Sequence, residues 1–523
     1  MLLHLSRLAG IAVITSLCLY PYDGSFSQET VPVRDAGTPA VPKGVEVMAR
    51  GPVHEAFASP ASEPAQSPLL AKKPPTPVEE MPPEEKPEGD VVWIGGYWSW
   101  DDDRTDYLWV SGCWRTKPPG KEWVPGYWRE QGERWQWVAG FWANAQPPQA
   151  PANPVTYYPE PPAPPAVAPP PPQPGPDMVY IPGHWSWQGD HYVWMAGFWR
   201  PIREGYVWVP AHYRWTPFGY VYVAGYWDLA VTRRGVLYAP VVVDVAVCGP
   251  TFVFTPAYAV CDVIVLDSLF IRPAYCHYYF GDYYGPRYVG LGFETCIVYS
   301  RCHYEPIIAY CAWENRANPA WINVQINLVS ARNEGRAPLP PRTLVQQTNI
   351  TNINNVTNVT NVKNVTNISN VTALAPTKAV AAARGQKTVA LAPAARTEAL
   401  QSARSVQLAA VQQRQKTEIP LSREQMAKPR TANLNVPPLP GKSAPPPANT
   451  NNSKMPSNNT APIGGKGTNT PPPGVGAPHP PTGPGGPSPK GPGGPPPKGP
   501  PAGHQPPMPQ HKAPPPKKDH PHS

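Results

Sequence analysis

The chain has 523 residues, of which 80 are Pro and 42 Gly, and only 15% are charged. So many helix- and strand-breaking residues exclude one globular enzyme over the whole length and point to ordered modules separated by Pro-rich chain. The net charge of +8 sits in the last 95 residues, where 31 Pro and nine Lys or Arg meet a single acid, Asp519, so residues 1–428 balance to zero.

Residues 1–27 read as a signal peptide: His4 and Arg7, an apolar run from Leu8 to Leu19, then the small residues Ser25 and Ser27 before Gln28. An uncleaved N-terminal anchor is the alternative. Leu17 before Cys18 does not fit a lipoprotein signal, and no later stretch is apolar for long enough to suggest a transmembrane span. The protein is expected to be exported, to the periplasm, cell surface or exterior. Residues 28–90 are rich in Pro, Ala and Glu without periodicity and are expected to be a disordered spacer.

Seventeen of the 19 Trp fall between Trp93 and Trp227, in an internal repeat of the form aromatic–x–x–Gly–x–aromatic. Copies begin at Trp93, Trp109, Trp123, Trp137, Tyr180, Trp194, Trp208 and Tyr222, at near-constant intervals of 14 within each group of four. Odd copies carry Gly or Pro before the Gly position (Gly95, Pro125, Pro182, Pro210) and even ones Ser or Ala (Ser111, Ala139, Ala196, Ala224), so the unit is a pair of copies, a β-hairpin. Two-residue turns at Gln131-Gly132 and Gln188-Gly189 place Gly126 against Trp137, Trp123 against Gly140, Gly183 against Trp194 and Tyr180 against Gly197, with Trp128 facing Trp135 and Trp185 facing Tyr192. A turn around Asp102-Asp103 likewise sets Gly96 against Trp109 and Trp93 against Gly112. An indole needs flat space, and Gly opposite supplies it. Carrying the register across Lys117–Glu122 puts Gly112 opposite Trp123 and joins the hairpins into a four-stranded meander. A rival reading places the turns at Pro125-Gly126 and Pro182-Gly183, with the strands between copies.

The runs Trp137-Val-Ala-Gly-Phe-Trp142, Trp194-Met-Ala-Gly-Phe-Trp199 and Trp123-Val-Pro-Gly-Tyr-Trp128 resemble the WXXGXW (YXWGXW) repeat of bacterial secreted proteins. The likeness covers residues 93–227, and Tyr180, Ala211, Tyr213 and Tyr222 depart from its strict pattern. It implies an exported bacterial protein and carries no activity with it.

The fold class expected is mostly β: antiparallel β-meanders built from 14-residue Trp/Gly repeats plus a Cys-containing β domain, with long disordered Pro-rich linkers and tail. The first meander spans 91–142, and 143–177 form a Pro-rich linker that favours extended polyproline II. Residues 178–335 join the second meander to the Cys-containing β domain. There Val241–Val247, Thr251–Val260, Val263–Ile271 and the alternating Asn323–Val329 read as strands. Residues 336–372 hold an Asn-Val-Thr triplet repeat, either a solvated linker or an oligomeric stalk. Within 373–428, Ala394–Lys416 suggests a short exposed helix, and 429–523 a disordered basic tail.

Chemistry is sparse. Cys248, Cys261, Cys276, Cys296, Cys302 and Cys311 share one stretch and, in an exported chain, are disulfide candidates whose pairing the sequence leaves open. Their spacing lacks a Cys-x-x-Cys knuckle, so no metal is expected, and Cys113 reads as a packed thiol. Asp244, Asp262, Asp267 and Asp282 can be paired on paper with His277 or His303, but no nucleophile elbow or zinc motif accompanies them, so no catalytic residue and no cofactor is assigned. Asp101-Asp102-Asp103 and Asp106 read as a solvated acidic turn rather than a calcium loop. Trp100, Trp187 and Trp215 lie outside the six-residue motif and are candidate glycan-stacking platforms. The tail's Lys are diluted by Pro and lack stacking groups, which does not suit specific nucleic-acid binding. The expected role is structural or adhesive at the cell envelope, without catalysis, with envelope proteins or a cell-wall or extracellular glycan as partner. A glycan-binding module is the second reading and an enzyme in 228–335 the third.

Overall fold

A computed structural model describes residues 39–61, 64–146, 153–165, 170–249, 251–355, 372–422 and 424–448. The expected signal peptide, most of the Asn-Val-Thr triplets and the tail from residue 449 lie outside the described residues.

The repeats form four antiparallel hairpins. Hairpin 1 sets Val92–Ile94 and Tyr97–Asp101 against Cys113–Arg115 and Asp106–Val110. Hairpin 2 pairs Lys121–Val124 and Tyr127–Gln131 with Phe141–Asn144 and Arg134–Val138. Hairpin 3 pairs Met178–Ile181 and His184–Gln188 with Phe198–Pro201 and His191–Met195. Hairpin 4 pairs Tyr206–Val209 and His212–Thr216 with Tyr226–Leu229 and Gly219–Val223.

One register runs through each hairpin, and it differs from the expected one by a single step of the turn. The loops of hairpins 2 and 3 are Gly132-Glu133 and Gly189-Asp190, one residue later than expected. Gly132 and Gly189 have φ of 60° and 61°, whereas the residues after them keep negative φ. Gly in the first loop position with positive φ is the type II′ pattern, whose twist suits a hairpin. The shift moves the pairing by two residues, so aromatics face aromatics. Trp98 opposes Trp109, Trp128 opposes Trp137, Trp185 opposes Trp194 and Tyr213 opposes Tyr222. At the base, Trp93 opposes Trp114, Trp123 opposes Trp142, Tyr180 opposes Trp199 and Trp208 opposes Trp227. The two rings of a pair meet edge-on or tilted, with centroids 5.2–5.5 Å apart. Each such pair contributes about 0.5–1.5 kcal/mol beyond area burial.

The Gly–Trp pairing survives as a diagonal contact. A Cβ on Gly96 would come closer than 3.0 Å to Trp109, one on Gly112 to Trp93, one on Gly126 to Trp137 and one on Gly140 to Trp123; Gly183 and Gly225 stand in the same relation to Trp194 and Trp208. Between inner and outer strands the ladder opens, at Gly95-Gly96 facing Ser111-Gly112 and at Pro125-Gly126, Pro182-Gly183 and Pro210-Ala211 facing their partners. Proline, which cannot donate to a ladder, falls in the break. The rival turn at Pro-Gly is not what forms.

The hairpins do not continue into one four-stranded meander. Cys113–Arg115 pairs with Gly235–Leu237 instead of meeting Trp123. The inner edge of hairpin 1 takes Val241–Val243, which in turn takes Val45–Val47. Hairpin 2 takes Leu69–Leu70, and hairpin 4 takes Asn153–Tyr158 followed by Arg430–Leu434. Hairpin 3 takes no further strand among the described residues. Segments expected to be spacers thus complete the sheets. Residues 39–90, read as disordered, carry Ala49, Val53, Ala56 and Phe57 into the core at 2% exposure or less. Leu434, Val436 and Leu439, at the start of the basic tail, are also buried. Several of the few apolar side chains in these segments are thus drawn into the core, while Val41 stays exposed.

Hairpins pack in equivalent pairs. The Trp128 indole N–H donates to the Trp98 carbonyl at 2.9 Å, and the Tyr213 hydroxyl donates to the Trp185 carbonyl at 3.2 Å. Tyr97 stacks on Trp137 with centroids 4.9 Å apart, and His184 on Tyr222 with centroids 6.2 Å apart. Positions in hairpin 1 therefore correspond to positions in hairpin 3, and those in hairpin 2 to hairpin 4.

The Cys-containing region mixes short strands, such as Leu269–Arg272 with His277–Phe280, and helices. Asn323–Val329, expected as a strand, lies in the helix Trp321–Asn333. Ile322, Ile326 and Val329 face the core at helical spacing, and this pattern wins over the alternation of the same stretch. Leu344–Asn355 is helical at the start of the triplet segment. The expected helix at Ala394–Lys416 is found as Pro393–Thr417, but it is not simply exposed: Ala403, Val406, Ala410 and Arg414 form a buried stripe. No described helix is long and apolar enough to cross a membrane.

Candidate functional site

The ladder breaks are the chemically distinctive feature of the hairpins. At each one, backbone N–H and C=O groups lose their cross-strand partners, and buried orphans of this kind are costly unless bonded elsewhere. In hairpin 1 one carboxylate oxygen of Glu80 accepts from Gly96 N–H at 3.3 Å and Gly112 N–H at 2.9 Å. The Gly95 carbonyl lies 3.0 Å from His54 Nε2, whose Nδ1 accepts from Ala56 N–H at 3.1 Å, so Nε2 is the donor. In hairpin 2 Glu55 accepts from Gly140 N–H at 2.9 Å and the Trp137 indole N–H at 2.8 Å. On the other side of that break, Arg414 donates to the carbonyls of Pro125 at 2.8 Å and Ala139 at 3.0 Å. In hairpin 4 His212 Nδ1 lies 2.9 Å from the Pro210 carbonyl, and Lys121 donates to the Ala224 carbonyl at 3.3 Å.

These groups sit in different electrostatic surroundings. Burial pushes the Glu80 carboxyl up to about 7 against the pull of its N–H donors. Burial also acts on Glu55, but a hydrogen bond and charge from His277, with the Gly140 and Trp137 donors, outweigh it and hold Glu55 below the ordinary carboxylate value. Burial takes His54 down to about 4 and His212 to about 3, so both are neutral donors at neutral pH.

Glu55 belongs to a cluster at the joint of hairpins 1 and 2. His277 Nδ1 lies 3.5 Å from Glu55, and its Nε2 is 2.9 Å from the Val53 carbonyl and 3.3 Å from the Tyr97 hydroxyl. Above it opens a small, partly open cleft lined by Trp98, Trp100, Trp128, Trp137, Tyr275 and Tyr279 among others.

The sequence candidates fall elsewhere. Trp100, Trp187 and Trp215 occupy one register position, each opposite a Tyr near the tip of a different hairpin. All three are half-buried. The Trp100 indole N–H bonds Asp102 at 3.1 Å, and that of Trp187 bonds the Gly189 carbonyl at 3.1 Å. No ring contact joins any two of them, so they do not form one platform; only Trp100 lines the aromatic cleft. No disulfide links Cys248, Cys261, Cys276, Cys296, Cys302 or Cys311, nor Cys113. Cys113, Cys276, Cys296 and Cys311 are buried, and Cys302 is exposed. The paper pairings of Asp with His are also not made. Asp282 is held by Arg342, Asp262 by Arg384, and Asp244 caps a helix. The acidic turn is not simply solvated: Asp103 binds Arg50 and Arg287, Asp102 binds Arg272, and Asp106 binds Lys72. No group of three or more metal-ligating side chains is present among the described residues.

Sequence reasoning missed Glu55, Glu80, His54 and Arg414, because all four lie in segments set aside as spacer or exposed helix. One signal was available: Val53-His54-Glu55-Ala56-Phe57 is an apolar pentad with two ionisable residues inside otherwise Pro-rich chain.

The WXXGXW repeat family matches residues 90–115, 123–143, 175–200 and 203–227, which are the four hairpins. No curated protein and no solved structure matches the chain.

Proposed function

Starting from a chain whose residues 90–227 are WXXGXW repeats, we propose that it is an exported, non-catalytic structural protein that holds or joins material at the cell envelope. One observation carries the reading: the aromatic rings of the repeats are spent on one another. Trp93, Trp98, Trp109, Trp114, Trp123 and Trp142 are at most 4% exposed and sit in cross-strand pairs, and remote side chains bond the breaks between them. Such an arrangement makes a rigid scaffold, with function left to its surface.

The test is fractionation of cells expressing the full chain, followed by retention of the purified protein on envelope preparations. Recovery in the envelope fraction, with retention unchanged by Trp100, Trp187 and Trp215→Ala, is expected. Recovery in the cytoplasm would overturn export. A second reading is favoured by the cleft that Trp100 lines: a saccharide unit stacking there. Retention on glycan alone, abolished by Trp100→Ala with the fold intact by circular dichroism, would put that reading first.

A further inference from the structure

Four breaks share one architecture, and one of them differs. In hairpins 1, 2 and 4 side chains from other segments or neighbouring positions bond the break, and the two residues flanking its Ser/Ala-Gly step are buried: Val110 and Cys113, Val138 and Phe141, Val223 and Tyr226, all at 7% exposure or less. In hairpin 3 the same positions are Met195 and Phe198, which are 40% and 43% exposed. Among the described residues, no hydrogen bond from another segment reaches Pro182, Gly183, Ala196 or Gly197. Hairpin 3 is also the hairpin that no further strand joins.

The chemistry wanted at this break follows from its equivalents. Gly96 and Gly112 of hairpin 1 donate to a carboxylate, and so do Gly140 and the Trp137 indole of hairpin 2. Hairpin 3 repeats all of these donors, as Gly183, Gly197 and Trp194. Both carboxylates arrive on segments with apolar neighbours, Val78-Glu79-Glu80-Met81 and Val53-His54-Glu55-Ala56-Phe57. In hairpin 3 the apolar counterpart is the exposed pair Met195 and Phe198.

We propose that the hairpin 3 break is a docking site for a segment of another protein that carries a Glu or Asp between apolar residues. The carboxylate bonds Gly183 and Gly197, and the apolar neighbours cover Met195 and Phe198. The chain's own basic tail does not fit, since its single acid, Asp519, lies among Lys and His. Unlike Glu80, which burial holds at a cost, a carboxylate docked here meets a break open to solvent, with Met195, Ala196 and Phe198 exposed, so desolvation does not outweigh its charge-assisted bonds to two N–H groups. These bonds give the site its preference for a carboxylate, and the apolar rim adds contact. The inference stands apart from envelope location, because its test uses only the purified protein.

The probe is a blocked peptide with the sequence of residues 76–83, Thr-Pro-Val-Glu-Glu-Met-Pro-Pro, titrated into the full chain labelled with 15N at Gly and at Trp indoles. The Gly183 and Gly197 amides and the Trp194 indole are expected to shift and saturate. A peptide with Gln at both Glu positions should bind at least about tenfold more weakly. In the chain, Met195→Glu with Phe198→Glu should abolish the shifts through like charge; both side chains are exposed, so circular dichroism should be unchanged. No shift with the Glu peptide, equal shifts with the Gln peptide, or indifference to the rim charges would each overturn the proposal.

Discussion

Replacing Glu80 by Gln tests whether a carboxylate buried under hairpin 1 is held at a cost. Glu80 is 4% exposed, and its two Gly N–H donors do not offset burial, so its pKa stands near 7 instead of 4.5. Between these values the folded state binds more protons than the unfolded one, so this group's contribution to stability falls as pH rises through about 4.5 to about 7. A shift of that size corresponds to about 3 kcal/mol, fully lost above the folded pKa. Gln keeps a carbonyl acceptor for Gly96 and Gly112 without the charge. Urea unfolding followed by Trp fluorescence, run for both proteins across this range, gives the difference directly. The variant should gain on the native protein by about 3 kcal/mol between about pH 4.5 and about pH 8. A difference that is flat, or that runs the other way, would refute the account of Glu80 as a carboxylate taken from water with too few partners.

Gly126→Ala and Gly140→Ala, each driving a methyl into an indole, should cost about 1–3 kcal/mol in the same assay, whereas Gly95→Ala, with nothing within 4 Å of its Cβ, should be near neutral. Arg414→Met should cost about 3–5 kcal/mol by stranding Glu418 and the Pro125 and Ala139 carbonyls, and adding Glu418→Gln should recover part of the loss. His54→Gln should flatten the acid limb of stability: a pKa near 4 against 6.5 means the unfolded state takes up the proton first, so stability is lost as pH falls through that window, by up to about 1.4 kcal/mol per pH unit. Alkylation of the native protein without reductant should label Cys302 rapidly and leave Cys113, Cys296 and Cys311 untouched until denaturant is added.

The repeats were legible because their constraint is local. A Gly under the opening indole of most copies, and the near-constant interval between copies, leave a period that can be read without knowing what the hairpin packs against. The turn slipped by one residue because Gln-Gly marks a turn without saying which position Gly takes; positive φ puts it first. The rest was hidden by composition. Residues 39–90 and 430–439 are mostly Pro and polar, and a chain with so few apolar side chains ordinarily stays unfolded. Here those few side chains meet strand edges and ladder breaks that already exist, so the segment orders by completing another element rather than by forming one. Glu55, Glu80 and Arg414 became sites in the same way: each is an unremarkable charge in its own segment and acquires a role from backbone about 16 to about 290 residues distant.

The pairing of hairpins 1 with 2 and 3 with 4 bears on where function sits. The two pairs share the indole- or hydroxyl-to-carbonyl bond and the ring stack at their joints, so the repeated sequence specifies a two-hairpin block. The non-repeated sequence specifies what closes each block. In the first block Glu80 and Glu55 close both breaks, and the aromatic faces go into the core. In the second, His212 and Lys121 close hairpin 4, and hairpin 3 keeps Met195 and Phe198 at the surface. A repeat maintained only for stability would be expected to bury equivalent positions equally. The inequality falls on the hairpin that still carries the full donor set of Gly183, Gly197 and Trp194, and this is where a partner's side chain would do for hairpin 3 what Glu80 does for hairpin 1.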